Sequence, residues 1–479
     1  MSETPKASCQ PRLAIAGSTG FVGNSIVHHL SKKFRLRCLT RSKTVIKERE
    51  QEKELEWVHC DAHSRSSVEQ ALQDVDVLIY LIHSMVPTSR LSQASFQDLD
   101  LLLADNFSRG CQAQGVKQII YISGLIPVET ELSAHLSSRH EVESTLKKGG
   151  VALTTLRCGL IVGPGGSSLR ILLNLVRRLP AMLLPSWTLS RTQPIAIGDV
   201  VRAVEICLEN PQTYVGSFDI GCPDVLTYRQ MMATTSRLMG RKVPLIPIKG
   251  ITTGLSKRWV TTVSGCSMEL VGPLVDSLSH EMVVKENPLQ DKILLGATSF
   301  ERAMRESMEA DGAPKLNPRQ SIRRKDDRNI KMDKRVRSVQ RLPLPEGRTA
   351  LWVMEEYLRW IPRFMGSLVS CEVDSNGRVR FCVKWLQWDL LVLQLNSQER
   401  EERLVLRIKG GLLAKVDENQ DGRLEFREIL GGKYVMAALH DFSPSLPWYL
   451  YNLTQAPVHF LVMKAFGRHL ARDQEERPS

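Results

Sequence analysis

Leu13-Ala-Ile-Ala-Gly17-Ser-Thr-Gly20-Phe-Val-Gly23 is a short apolar run followed by glycines at every third position. Leu13 to Ala16 suits a strand covered on both faces. Phe21, Val22, Ile26, Val27 and Leu30 then recur at helical spacing, so the stretch reads as strand, tight turn and helix. Each glycine has its own task there. Gly17 allows the turn, Gly20 lets backbone approach a pyrophosphate, and Gly23 lets the helix pack against the strand. The helix N-terminus, with its unpaired N–H groups and positive dipole end, suits the phosphates. Gly17, Ser18, Thr19, Gly20, Phe21, Val22 and Gly23 are therefore the expected phosphate site of a dinucleotide.

The second strand, Arg35 to Thr40, ends in Thr40-Arg41-Ser42. A carboxylate at this point, about 20 residues beyond the loop, would select NAD through the ribose 2′-hydroxyl. Arg41 offers a guanidinium, which pairs with a 2′-phosphate, and the expected cofactor is NADP, with NAD second. The alternative is an arginine that only solubilises the strand end.

Further strands are expected at Glu56 to Asp61, Val75 to Ile82, Gln118 to Ser123 and Ala152 to Ile161, each followed by a polar loop or helical pattern. That alternation predicts an α/β fold with a doubly wound parallel Rossmann sheet. Asp61, with Ala62 beside it, is placed to accept from an adenine amino group. Leu81, Ile82, His83 and Ser84 follow the fourth strand and flank the adenosine side, because ligands gather at the carboxyl ends of such strands. His83 is equally well read as an ordinary structural histidine.

Beyond Gly163 the rhythm weakens. The expected organisation is a nucleotide-binding domain over 11–310, with its core at 11–164 and a less regular substrate lobe at 165–310. A basic linker at 311–347 and a separate C-terminal α+β domain at 348–475 follow. Lys315 to Arg341 holds eleven Lys or Arg against three Asp, which is +8 of the chain's net +12. It has no aromatics for base stacking, so a solvated linker is expected, with no specific nucleic-acid partner and at most weak contact with an anionic surface. Five of the eight tryptophans lie past Pro345. Val379, Phe381, Val383 and Trp385 alternate, as do Leu404, Leu406 and Ile408, predicting antiparallel strands with one buried face. Val458, Leu461, Val462, Ala465, Phe466, His469 and Leu470 line one face of a closing helix, with Thr454 as cap and Pro457 in the first turn. A helix across an antiparallel sheet either encloses an apolar pocket or completes a filled core.

Ten cysteines without a Cys-x-x-Cys pair read as reduced thiols, and the expected location is cytoplasmic. No signal peptide is expected. The most apolar windows, near Ile171 to Leu184 and Leu446 to Phe466, are too interrupted to span a membrane. Asp417-Glu-Asn-Gln-Asp421-Gly422 through Glu428 matches a calcium loop at several positions, but Asp421-Gly422 between alternating segments is a hairpin signal, and no metal is expected.

Several segments resemble the short-chain dehydrogenase/reductase superfamily in its extended and atypical branches. Gly17 to Gly23 resembles the phosphate loop, Arg157 through Gly163-Pro164-Gly165 the sixth-strand signature, and Pro194 to Val201 a Pro-Ile-x-x-x-Asp-Val segment. Tyr80 to Met85 and the trailing domain resemble an NmrA-like bacterial subgroup. The resemblance implies hydride chemistry on a small organic substrate. Catalytic members carry Ser and then Tyr-x-x-x-Lys, whose lysine lowers the tyrosine pKa. Ser123 is present here, but His135 and Arg139 hold the other two positions. One reading has His135 as acid or base and Arg139 at the ribose hydroxyls. The other has the dinucleotide bound without turnover, in a redox sensor, regulatory or assembly protein with a protein partner.

Overall fold

The computed structural model describes residues 10–84, 92–127, 131–248, 253–316, 336–366, 368–396, 402–416 and 422–475. The chain divides into two compact units. The first comprises 1–86 and 103–326, the second 87–102 and 327–479.

The first unit is built on a parallel sheet. Its strands are β1 (Arg12–Ala16), β2 (Arg35–Thr40), β3 (Leu55–His59), β4 (Val77–Tyr80), β5 (Gln118–Gly124), β6 (Ala152–Cys158) and β7 (Gly216–Ile220), ordered β7-β6-β5-β4-β1-β2-β3. Both faces of β1 are buried. Leu13 and Ile15 pack with Ile26, Val27 and Leu30 of α1 (Phe21–Leu30), while Ala14 and Ala16 pack with Leu78, Tyr80, Phe107 and Tyr121 on the other side. This is why the first strand is apolar at every position rather than at alternate ones. The strand order reverses direction at β1 and β4, which opens a crevice at their carboxyl ends.

The third and fourth strands end at His59 and Tyr80, two residues before the expected Asp61 and Ile82, and two larger differences from the sequence reading lie further on. The segment expected as one strand from Ala152 to Ile161 breaks after Cys158, and Ile161–Val162 pairs instead with Ile195–Ala196. Gly159 lies at the break because the Gln193 carbonyl oxygen is 2.3 Å from where a Cβ would be. The sheet also recruits β7 from the stretch expected to be lobe, since its register with β6 buries Asp219 and Ile220 at the edge. The lobe contributes α2 (Ser167–Arg178), α3 (Tyr228–Leu238) and α4 (Met268–Ser277).

The second unit is an antiparallel sheet of β8 (Val336–Pro343), β9 (Val369–Val373), β10 (Arg378–Val383), β11 (Trp388–Leu395), β12 (Arg403–Gly410), β13 (Arg423–Ile429) and β14 (Tyr434–Phe442). The order is β9-β10-β11-β12-β13-β14-β8, and Ser92–Gln93 adds to the β8 edge in parallel. Two helices, α5 (Ala350–Phe364) and α6 (Gln455–Glu475), pack on one face through Tyr357, Trp360, Phe466 and Leu470. Leu99, Leu101 and Leu102 pack with Val339, Met436 and Ala438 in a second cluster.

The charge pattern misassigned β8. It falls in the stretch expected to be solvated linker, yet it is a strand whose arginines enter ion pairs, Arg337 with Asp441 at 3.0 Å and Arg341 with Asp98 at 3.0 Å. Residues 317–335 of that linker lie outside the described residues. Trp385 does not continue the alternation of β10. The strand ends at Val383 and Trp385 sits in the following turn, 85% exposed. On α6, Val458 and Leu461 are exposed, and the core-facing residues are Ala456, Met463, Phe466 and Leu470. The apolar stripe of this helix is broader than the surface it covers.

The acidic turn at 417–421 lies outside the described residues. Its flanks, β12 and β13, are paired strands. The turn at Asp374 closes on itself through hydrogen bonds from the Asn376 and Arg378 N–H groups to the Asp374 carboxylate. The nine cysteines among the described residues are free thiols. No helix among the described residues is long and apolar enough to cross a membrane.

Candidate functional site

The crevice between β1 and β4 is shaped by backbone. Gly17 has φ +94°, and a Cβ there would lie 3.2 Å from Leu81 Cβ beyond β4. A Cβ on Gly23 would fall 2.2 Å from the Gly17 carbonyl oxygen, so the first turn of α1 lies directly on the loop. The Ser18 hydroxyl donates to the Leu39 carbonyl at 2.9 Å, and Asn24 donates to the Thr19 carbonyl at 3.1 Å. These bonds fix the loop from the protein side. No side chain caps α1 and no acidic residue occupies its first turn. Its N–H groups and dipole therefore remain suited to an anion. Closely packed backbone with an uncapped helix end fits a dinucleotide pyrophosphate.

Arg41 follows β2 directly and is half-buried, ahead of the Ser42 hydroxyl that caps the next helix through the Val45 N–H at 3.0 Å. Asp61 lies beyond β3, where its Oδ1 accepts the His63 N–H at 3.2 Å. The Ala62 carbonyl accepts from Asn106 at 2.9 Å. Thus Asp61 bonds within its own turn, and Ala62 is held by a side chain of a later helix.

A cavity of about 400 Å³ begins at Phe21 and Val22 and is lined by Leu81, His83, Ser123, His135 and Arg139. Three elements bring the polar groups together: His83 follows β4, Ser123 lies near the end of β5, and His135 and Arg139 share one face of the helix Ala134–Lys148. Ser133 caps that helix through the Leu136 N–H and bonds to Ser277 of α4 at 2.8 Å, which orients its first turn. Arg139, 5% exposed, donates to His83 Nδ1. A guanidinium cannot accept, so His83 Nδ1 carries the lone pair. The rings of His83 and His135 lie 5.2 Å apart and tilted by 37°. The Ser123 hydroxyl is buried and makes no hydrogen bond among the described residues. A buried hydroxyl of this kind is available to a ligand.

Of the other expected site residues, Arg41, Asp61, Ala62, Ile82 and Ser84 do not line this cavity. The core adds Ile122, Leu125, Leu136 and Leu160 to its wall, and the lobe supplies Leu172 and Leu175 of α2, Tyr228, Met231 and Met232 of α3, and Val271, Leu274 and Val275 of α4, with Trp187 and Met282. None of these lobe side chains was singled out from sequence. Their spacing of three and four residues marks amphipathic helices, but the same spacing marks ordinary core. Burial pushes the Tyr228 hydroxyl up to about 12, so that group stays protonated near neutrality.

Residues 17–170 match the model of a family described as NAD(P)H-binding. The chain carries an NAD(P)H-binding domain. Over that part of the chain this domain matches the NmrA-like family, and its sheet is of Rossmann type. Auxiliary protein GraX of Staphylococcus aureus is 26% identical over 179 residues, a match spanning 34% of this chain and 57% of that protein. The matched part is thus little more than half of that relative. Among solved structures, a nucleoside-diphosphate-sugar epimerase from Staphylococcus aureus superimposes with a TM-score of 0.51 at 14% identity, covering 62% of this chain and all of that one. It shares the fold. A triphenylmethane reductase from Citrobacter sp., complexed with NADP(H), has a TM-score of 0.49 at 16% identity, covering 61% of this chain and 98% of that one.

Proposed function

We propose that the NAD(P)H-binding unit is an NADP-preferring oxidoreductase that reduces, or in reverse oxidises, an apolar organic substrate at a carbonyl or similar group. The observation that carries this reading is the cavity itself, in which His83, Ser123, His135 and Arg139 stand beside the loop residues Phe21 and Val22 and the remaining wall is largely hydrocarbon. A bound nicotinamide supplies or removes the hydride. Gly17 to Gly23 hold the phosphates, and Arg41 pairs with the 2′-phosphate. Ser123 donates its hydroxyl hydrogen to the substrate oxygen. His135 gives that oxygen its proton during reduction, regains it from water, and takes it back in the reverse direction. Arg139 remains charged and fixes the neighbouring His83, so it orients and stabilises without relaying a proton. The apolar wall excludes water and sets the substrate class.

The test is NADPH oxidation with a panel of apolar ketones, aldehydes and quinones, using the wild-type protein and His135→Phe. Loss of a positioned acid lowers kcat by about 10²- to 10⁴-fold. Unchanged turnover in His135→Phe removes this residue from the mechanism. A second reading, NADP binding without turnover in a regulatory or assembly role, is supported by the missing Tyr-x-x-x-Lys pair and by the auxiliary-protein name of the curated relative. Tight NADPH binding with no turnover across the panel, and a protein partner captured only with NADPH present, favours that reading.

A further inference from the structure

The second unit contains a cavity of its own. An open cleft of about 640 Å³ lies between the sheet and helices α5 and α6, and six strands, β9 to β14, contribute side chains to it. This volume is within the range of about 300 to 1,000 Å³ found for small-molecule sites. The strands bend to make it. Register shifts at Phe381/Cys382 and Val392/Leu393 mark bulges in the ladders joining β10, β11 and β12, and bulges bend and twist the strand that carries them. At Gly411, φ +113°, the Leu390 carbonyl oxygen is 2.4 Å from where a Cβ would be, so the chain leaving β12 presses on β11.

The lining is almost entirely hydrocarbon, as Phe381, Leu391, Leu393, Ile408, Leu424 and Leu439 show. Its titratable groups carry no charge near neutrality. Tyr357 is buried, its hydroxyl pushed up by desolvation, and it makes no side-chain hydrogen bond among the described residues. His459 lies 3.5 Å from the Ser338 hydroxyl and is pulled down to about 4 by desolvation. Water gains little in such a space, because it needs two to four polar partners. The mouth is apolar as well. Leu453 and Val458 line the cavity and are 76% and 51% exposed, with the polar side chains of Thr454 and Gln455 between them.

We propose that this cavity is a second, independent binding site, and that it takes a long hydrocarbon chain with a single small polar end. The chain lies along the concave sheet, and the polar end stays at the mouth with Thr454 and Gln455. Fatty acids and prenyl alcohols share this chemistry, and the two are distinguished by using cis-parinaric acid and retinol as separate fluorescent probes. The full-length protein is titrated with each. Saturable binding of either probe to one site is expected, weakened at least tenfold by Leu391→Trp, which fills the cavity, and by Val458→Arg, which places a charge at the mouth. Val458 is exposed, so its replacement leaves folding intact even where the larger core substitution does not. Saturating NADPH and Met232→Trp, which fills the cavity of the first unit, leave probe binding unchanged. The proposal fails if neither probe binds saturably, if Val458→Arg binds both probes like the wild type, or if Met232→Trp is the variant that abolishes binding.

Discussion

At the residue scale, Gly23 and Arg41 carry different kinds of information. Gly23 is a steric requirement, because any Cβ would sit 2.2 Å from the Gly17 carbonyl oxygen. Gly23→Ala is therefore expected to destabilise the first unit by about 1 to 3 kcal/mol, the usual range for overpacking, and to weaken NADPH and NADH alike. Urea unfolding and calorimetric titration measure the two effects. On the proposed function, Arg41 makes an electrostatic requirement on one ligand only. Arg41→Ala should weaken NADPH by about 1.5 to 3 kcal/mol, the range for a hydrogen bond to a charged group, and leave NADH nearly unchanged. Equal losses for both nucleotides would show that Arg41 does not read the 2′-phosphate. The loop was legible in the sequence because glycine at a fixed spacing has few other uses beside a buried strand. The pairing of Arg139 with His83 was not legible, since those residues are brought together by β4 and a helix that are 56 positions apart in chain numbering.

At the scale of elements, β13 shows how a sheet can be apolar on one face and ionic on the other. Leu424 and Phe426 enter the core beneath the helices, while Arg423, Glu425 and Arg427 alternate with them. Glu425 is fully buried and accepts from Arg427 Nε at 2.6 Å and from Arg403 Nε at 2.8 Å, with His440 Nε2 3.5 Å away. Burial by itself would raise this carboxyl, but the Arg427 guanidinium, His440 and Arg403 overcome it and hold it well below the usual range. Its contribution is therefore present above the unfolded value, about 4.3 for glutamate, and is lost as pH falls through the lower folded value. Glu425→Gln removes the buried carboxylate charge that faces Arg427 and Arg403 and is expected to cost about 3 to 5 kcal/mol at pH 7. Denaturation at pH 7 and at successively lower pH should show the gap between wild type and variant closing in acid. A gap that widened in acid would contradict the assignment. The same alternation explains why the sequence identified strands in this region, and why it misjudged β8, whose arginines look solvated until their partners on other segments are known.

At the scale of the whole molecule, the two units are not two consecutive lengths of chain. Residues 87–102 belong with the C-terminal unit, where Leu102 is buried against Val339, Ile429 and Met436. Leu102→Ala is expected to destabilise that unit by about 2 to 5 kcal/mol, as for other buried leucines, although the change lies more than two hundred residues before its sheet begins. Tryptophan fluorescence during urea unfolding follows this, since five of the eight tryptophans lie past Pro345. NADPH at about 100 times its dissociation constant should stabilise the first unit by about 2.7 kcal/mol, and hydrogen exchange should locate the added protection in that unit. The sequence by itself determined the parallel sheet, the glycine loop between its first strand and helix, and a dinucleotide as the class of cofactor, because these depend on local pattern: periodicity and the steric freedom of glycine. Only the tertiary structure decided which helices line the cavity beside His135, that β8 is a strand, that a segment near residue 100 completes the distant sheet, and that the second unit leaves an apolar cleft between its sheet and helices. Those outcomes depend on how bulges, bends and buried ion pairs bring remote segments into contact, and hydrophobic spacing is the same whether the facing space is filled or empty.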